Sequence, residues 1–275
     1  MHRFTNLTQH RLWLIASLLW LASLVPAQAE EPIKLTLGGT PASFHYMSTL
    51  LTRSLSHQGY SVDITNLGNM PTTRLEVLLE QGSIDTLILG QTPARSERFL
   101  NVQVGMTDNL VNHRILFIPP DSQPQYDHVS TLDDFIALGK VAGMGQAWGD
   151  KLIWETNDLP VQGVPGDWKR LYHMVASGLR GVDYLPRGAH EIVREWPQQQ
   201  ELAVEQNLVF VYDRDHILYV TPTRPELHTL LDTVMKAAYQ DGVIRDVANE
   251  LFGEVYEPPV NLHQRRVITL VTQPG

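Results

Sequence analysis

The chain has no cysteine among its 275 residues, and this absence removes several kinds of chemistry at once. Disulfide bonds, thiolate metal sites and cysteine nucleophiles are excluded, so the fold must be stabilised by its core. Basic residues are also few: 21 lysines and arginines stand against 30 acidic residues, for a formal net charge of −9. Because a nucleic-acid partner requires a basic face, none is expected.

Long apolar runs are confined to the N-terminus. Residues 1–29 contain two arginines, an apolar run over residues 12–25 and the small-residue sequence Ala27-Gln28-Ala29. This order is typical of a secretory signal peptide, and the run is shorter than the ~20 residues that span a bilayer. An uncleaved anchor is the alternative. We expect cleavage after Ala29, which would leave a soluble periplasmic protein of 246 residues with a formal charge of −11.

Patterns of catalysis and of metal binding are missing as well. The eleven histidines are scattered without a His-x-x-x-His pair, and no Gly-x-Ser-x-Gly nucleophile elbow is present. A hydrolase or transglycosylase would need a catalytic acid in a cleft, and the sequence indicates none. We therefore predict no catalytic residue, no cofactor and no metal site, and a protein that is not an enzyme.

What the chain does contain is an alternation of strand and helix patterns. The first half reads as strand 33–37, helix 43–57, strand 61–66, helix 72–81 and strand 84–89. This β-α-β-α-β order implies parallel strands with crossover helices, and a second α/β set begins near residue 130. The patterns alone predict an α/β protein.

The segment Gly82 to Arg95 (GSIDTLILGQTPAR) carries the clearest indication of a binding site. A buried strand is followed by a polar loop that holds Thr92 and Arg95 beyond the carboxyl end of the strand. Ligands of open α/β sheets bind at such positions, and arginine can hold a carboxylate or phosphate through two parallel hydrogen bonds. A surface arginine after an ordinary strand is the alternative.

This segment, Gly-x-x-Asp followed by Gly-x-Thr-x-x-Arg, resembles the carboxylate-gripping segment of the family 3 periplasmic solute-binding proteins, the polar amino-acid binders. The loop GMGQAWGD, the stretch VDYLPRGAHEI and the tail NLHQRRVITL extend the likeness over most of the mature chain. The resemblance implies the type II periplasmic-binding fold, in which two lobes, each a mixed sheet flanked by helices, are joined by a two-strand hinge. It implies a signal peptide at 1–29, a discontinuous lobe 1 at 30–115 and 207–275, and lobe 2 at 116–206.

Two further segments supply candidate ligand contacts. The glycine-rich loop 143–149 follows a strand and opens a helix, so Gln146 and Trp148 are placed where backbone N–H groups favour an anion. A purely structural turn is the alternative, and a dinucleotide site does not match the spacing of the glycines. Phe44 follows the first strand, where such binders often place a ring against the ligand; core packing is its alternative.

Arg187 marks the departure from the amino-acid binders. The resemblance implies an aspartate here that holds the α-ammonium group of the ligand, but this chain has Arg187 and Gly188. An arginine repels an ammonium group, which places an ordinary α-amino acid in doubt. Arg187 could instead bind a second anionic group, pair with Glu191 one helical turn further on, or face solvent.

We therefore predict a periplasmic solute-binding protein, expected to be a monomer, that closes two lobes on a small polar solute. The solute would be anionic or amino-acid-like, and the partner would be a membrane transporter permease or a membrane sensor protein. The alternative is a degenerate binding-fold protein that takes no small-molecule ligand and acts as a periplasmic interaction or signalling subunit.

Overall fold

The computed structural model describes residues 31–146, 148–178 and 181–272, so the predicted signal peptide lies outside the described residues. Helices and strands alternate along the chain as the sequence predicts. The helices are α1 Pro41–His57, α2 Thr72–Glu80, α3 Pro93–Arg98, α4 Leu132–Ala137, α5 Asp150–Thr156, α6 Arg170–Ser177, α7 Ala189–Glu195, α8 Pro225–Gln240 and α9 Val243–Leu251. The strands are β1 Ile33–Leu37, β2 Val62–Asn66, β3 Thr86–Gly90, β4 Leu100–Val102, β5 His113–Ile118, β6 Ala142–Gly145, β7 Val161–Val164, β8 Leu185–Gly188, β9 Ala203–Val204, β10 Leu208–Val211, β11 His216–Val220 and β12 Arg266–Thr269.

Lobe 1 is built on β1, β2, β3, β4 and β11. β1 pairs in parallel with β2, while β11 lies antiparallel between β3 and β4. The two sets meet where the Asp85 amide donates to the carbonyl oxygen of Thr36 at 2.8 Å, and the Asp85 carboxylate accepts from the Thr36 amide at 2.6 Å. The buried faces of α1, α8 and α9 pack on this lobe, because their leucine, valine and methionine side chains recur at helical spacing.

Lobe 2 is built on a sheet in which β5 lies antiparallel between β10 and β8, and β12 lies parallel to β10. β6 and β7 form a parallel pair that joins this sheet through a bridge between Ala142 and Tyr184. The aromatic core at this junction includes Trp154, whose indole N–H donates to the hydroxyl of Tyr184 at 3.0 Å. A buried indole with a satisfied N–H is the arrangement in which tryptophan stabilises a core most.

The chain crosses between the lobes at residues 103–112, at 212–215 and again after α9, and Asp215 binds the first two crossings together. Its carboxylate accepts from the amides of Thr107 and Asn109, each at 2.9 Å, and from the Thr107 hydroxyl at 2.5 Å. Asp108 and Asn109 both have positive φ, which ends any strand at this point. The apolar stretch 110–118, whose composition predicts one continuous strand, is therefore divided: residues 110–112 form a 3-10 turn, and β5 begins at His113.

The C-terminal segment returns to lobe 2 after α9. Val255, Val260 and Leu262 lie in the core beneath β5 and β8, and β12 completes the edge next to β10. The sequence-based division assigned all of 207–275 to lobe 1; in the structure, β11, α8 and α9 lie in lobe 1, and β10 and β12 in lobe 2. In the part of the chain that the structure describes, the helices are all too short or too polar to cross a membrane.

A buried arginine ties this returning segment to β10. The Arg265 guanidinium donates to carbonyl oxygens of Val260, Glu205 and Leu208 at 2.5, 2.5 and 3.0 Å. It also lies 3.5 Å from the carboxylate of Glu205, and both side chains are fully buried. Neither charge can reach water, so each depends on the other.

We expect Arg265→Met to destabilise the protein strongly. The substitution would leave the Glu205 carboxylate buried without its counter-charge, which typically costs about 3–5 kcal/mol. For a chain of this size the melting temperature would fall by roughly 10 °C. Arg245→Met, at an exposed position, is the matched control. Circular dichroism measures both, and equal melting temperatures for the two variants would contradict the proposed dependence.

Candidate functional site

A cavity of about 290 Å³ lies between the lobes, next to the crossings. Lobe 1 contributes the loop after β1, the start of α1 and the end of β3, while lobe 2 contributes one face of α7. Its walls are mostly apolar, with Met47, Leu87 and Leu89 among the lining side chains. Such a volume, at the small end of ligand-binding pockets, fits a small solute.

The lobe 1 wall presents the N-terminus of α1. The Thr40 hydroxyl caps the helix by accepting from the Ser43 amide at 3.2 Å, and the first turn holds no acidic residue. Pro41 has no N–H and the Phe44 N–H donates to the Thr40 carbonyl oxygen, so the Ala42 N–H and the helix dipole give this wall a partial positive charge. Behind it lies Tyr46, which is buried and donates its hydroxyl to the carbonyl oxygen of Met106 at 2.5 Å.

The lobe 2 wall is α7, which begins directly at the carboxyl end of β8. Glu191 anchors its first turn by accepting from the Gly188 amide at 2.8 Å and from Arg187 at 2.8 Å. His190 and Arg194, four residues apart on the same helix face, then line the cavity. Arg194 forms no ion pair with any residue that the structure describes.

Two histidines meet at this cavity, one from each lobe. Burial lowers the pKa of His190 to about 4, and burial also lowers the pKa of His216 from its ordinary value. Neutral imidazoles at both positions leave Arg194 as the charged side chain among the described residues of the wall. No carboxylate belongs to that described wall, although Glu191 and Asp215 lie close to its two histidines; a ligand in direct contact with the wall therefore meets Arg194 as its charged partner.

Beside the cavity, Arg187 occupies the centre of a group that we call the Arg187 cluster: Trp148, Trp168, Arg187, Glu191 and Glu195. The guanidinium carbon lies 4.4 Å from the ring centre of Trp168 and 5.0 Å from that of Trp148. Its nitrogens donate to Glu191 at 2.8 Å and to Glu195 at 2.9 and 2.5 Å. Arg187 is 8% exposed, so its charge is held by the chain itself.

A second guanidinium extends this cluster to the crossings. Arg114 donates to Glu191 at 3.4 Å, to Asp150 at 2.9 Å and to the hydroxyl of Tyr212 at 2.8 Å. Tyr212 also hydrogen-bonds Asp150. The position of α7 is therefore linked to the segment that joins the lobes.

Arg95 and Thr92 lie together in lobe 1, and both side chains form hydrogen bonds to neighbouring residues of that lobe. Arg95 donates from Nε to Glu76 at 3.0 Å and from Nη1 to the carbonyl oxygen of Gly90 at 2.7 Å, and its third nitrogen lies 3.0 Å from Glu76. Thr92 caps α3 by accepting from the Arg95 amide at 3.2 Å. A ligand could use Arg95 after displacing Glu76.

Of the remaining sequence candidates, Phe44 and Gln146 lie apart, whereas Trp148 contacts Arg187. Phe44 packs against the core of lobe 1, beside a groove that differs from the cavity, whereas Tyr46 two residues on lines the cavity. Gln146 is exposed, and its backbone N–H donates to the carbonyl oxygen of Val164 at 3.0 Å. Trp148 lies in the Arg187 cluster.

Sequence reasoning missed His190, Arg194 and His216. The first two could have been found from their spacing of four residues on a helix that follows a strand directly, since the carboxyl ends of strands face the cleft. His216 carries no such local pattern. In the described residues, no group of three or more histidine or acidic side chains is arranged to hold a metal ion.

The architecture is that of the two-lobed periplasmic-binding proteins, as predicted. A probable amino-acid ABC transporter extracellular-binding protein from Bacillus subtilis superposes with a TM-score of 0.58 at 14% identity, over 82% of this chain and 100% of that one. An arginine-specific periplasmic binding protein from Salmonella typhimurium gives 0.51 at 10% identity, over 80% and 99%. An amino-acid ABC transporter substrate-binding protein from Streptococcus pneumoniae, bound to L-arginine, gives 0.50 at 14%, over 82% and 96%.

No protein-family model and no curated sequence matches the chain. At these identities the structural likenesses establish the fold, and the ligand must be argued from the residues of this chain.

Glu191 should make the free energy of unfolding depend on pH in the acid range. Burial opposes its charge, but Arg187 and Arg114 outweigh burial and hold its pKa below the ordinary value. A carboxyl group with a lowered folded pKa stabilises above its unfolded pKa, near 4.3, and loses that contribution as pH falls through the folded value. We expect Glu191→Gln to be less stable than wild type at pH 7, with a difference that shrinks below about pH 4.3.

Urea unfolding from pH 7 to pH 3 measures this difference. Glu201→Gln, at an exposed position, is the control and should track wild type throughout. A Glu191→Gln deficit that stays constant over the whole range would show that the charge of Glu191 does not stabilise the fold.

Proposed function

We propose that this protein is a periplasmic solute-binding protein that closes its lobes on a small organic anion with an apolar body. The observation that carries the proposal is the cavity between the lobes, with Arg194 at one wall and the N-terminus of α1 at another. A ligand that touches both walls binds the closed state better than the open one, and so shifts the population towards it. The closed form would then be presented to a membrane transporter or a membrane sensor.

The charge of the walls supports an anion. An arginine and a helix N-terminus both favour a carboxylate, with Arg194 able to supply two parallel donors. An ammonium or guanidinium group would be buried without a carboxylate partner on the described wall, which is costly. The arginine bound by some structural neighbours is therefore a poor fit here.

The rest of the wall supports an apolar body. Met47, Met70, Leu75 and Phe252 lie around the cavity, and burying a hydrocarbon group against them contributes about 25 cal/mol per Å². Hydroxyl groups, among them that of Thr72, add a limited number of polar contacts. Short branched or aromatic monocarboxylates match this combination.

The first test is a thermal-shift screen of the mature protein. We expect phenylacetate or 4-methylpentanoate at about one hundred times its Kd to raise the melting temperature by roughly 5 °C or more, because ligand that binds the folded state stabilises it. L-Arginine should give no shift. A shift with L-arginine and none with the carboxylates would contradict the proposed charge of the ligand.

Either Arg194 or Arg95 could bind the carboxylate of the ligand, and substituting each in turn distinguishes the two. We expect Arg194→Ala to weaken phenylacetate binding about three- to tenfold, since a charge-assisted hydrogen bond is worth about 1.5–3 kcal/mol and solvent screens part of that at Arg194, which is exposed. Arg95→Ala should have a smaller effect, because Glu76 and Gly90 already hold its nitrogens. Calorimetric titration measures both, with the exposed Arg245→Ala as control. A larger loss of affinity in Arg95→Ala than in Arg194→Ala would show that Arg95 binds the carboxylate.

The Arg187 cluster favours a second candidate function. Its guanidinium is enclosed by two rings and two carboxylates of the same chain, so a part of the lobe 2 wall is filled without any ligand. A protein that keeps the binding fold and takes no solute would act as a periplasmic interaction or signalling subunit. The absence of any thermal shift across amino acids and organic anions would favour this function.

A further inference from the structure

The imidazole of His190 is half-buried at the cavity and has no polar partner among the described residues. Neither ring nitrogen hydrogen-bonds to a residue that the structure describes, and Nδ1 is fully enclosed on the side of the ring next to Gly188. The ring of Phe252 lies against it, with centres 5.4 Å apart. A buried polar group that lacks a partner costs about 1–3 kcal/mol, so a residue kept in this state needs an explanation.

The charges around His190 come from several elements. On its own helix stand Glu191 and Arg194, β5 contributes Arg114, and β11 contributes His216. The Glu191 carboxylate attracts a proton to His190, whereas the other three groups repel it. Glu191 is also engaged by Arg114 and by Arg187, the residue at the end of β8.

The other elements packed against α7 add no counter-charge at the ring. Residues 110–112 and 196–198 carry no ionisable side chain, and the end of α9 presents Phe252. The turn after α9 holds Glu254, which is exposed. Burial is the largest effect on this histidine, and it keeps the ring neutral at ordinary pH.

We propose that His190 is the proton-linked contact of the ligand, so that binding of an organic anion takes up a proton and tightens as pH falls. This proposal rests on the proposed function, because the bound anion supplies the counter-charge that a protonated His190 would not have in the empty protein. An opposite charge within a few Å favours the protonated ring, and binding and protonation then favour each other equally. The proton comes from solvent, and no covalent bond is made or broken.

His190 is a better candidate than its neighbour His216. The carboxylate of Asp215 already faces His216 and favours its protonated form in the empty protein. An incoming anion therefore changes the surroundings of His216 less than those of His190. Substituting each histidine in turn shows which of them takes up the proton on binding.

The test is calorimetric titration with phenylacetate, which remains ionised at both pH 7.5 and pH 5.5. For wild type we expect the Kd to be lower at pH 5.5 by about threefold or more; one linked proton permits at most about tenfold per pH unit. His190→Gln, which keeps a hydrogen-bond donor but cannot take a proton, should bind with a Kd that hardly changes with pH. His216→Gln should keep the wild-type pH dependence, as should the exposed control His128→Gln.

A second measurement needs no variant. Titration of the histidine ring protons by nuclear magnetic resonance should show a higher pKa for His190 with phenylacetate than without it. Phenylacetate binding with an unchanged His190 pKa and a Kd independent of pH would overturn the proton link and leave the proposed function standing. If neither phenylacetate nor 4-methylpentanoate binds at either pH, the proton link and the proposed ligand class both fall.

Discussion

The carboxylate of Glu191 is the constraint on which the cleft depends. It holds the first turn of α7 through the Gly188 amide and is itself held by Arg187 and Arg114. Arg114 continues to Tyr212, next to the segment that joins the lobes. Because α7 carries the cavity-lining side chains of lobe 2, this one carboxylate couples the hinge, the buried guanidinium and the binding wall. Partly buried charge networks of this kind fix geometry more than they add net stability.

The chain shares its fold with amino-acid-binding proteins, and the charges of its cleft follow from its own residues. The walls that the structure describes hold an arginine, neutral histidines and a helix N-terminus, with apolar side chains between them. The guanidinium at Arg187 is satisfied within the chain, and Arg95 is paired with Glu76. A fold does not determine what it binds, so the likeness to arginine-bound structures leaves the solute to these residues.

Local patterns were sufficient for most of the elements and for the α/β class, because strand and helix periods are properties of short segments, whereas the two-lobed fold was implied by the family resemblance. The sequence predicts β1 with its observed bounds. The i,i+4 spacing of Arg187 and Glu191 indicated an ion pair as one alternative, and the structure contains that pair. The residues that line the cavity were harder to predict from the sequence. Glu76 precedes Arg95 by 19 residues, and His216 reaches the cavity from a strand late in the chain, so neither partnership leaves a mark on its own segment.

The central claim is that the cavity between the lobes holds an organic anion against α7. A crystal structure of the mature protein with phenylacetate tests it most directly. We expect the carboxylate within hydrogen-bond distance of Arg194 and His190, with the ring among Met47, Leu87 and Leu89. Density for the ligand at Arg95, at the Arg187 cluster or outside the cleft would contradict the claim.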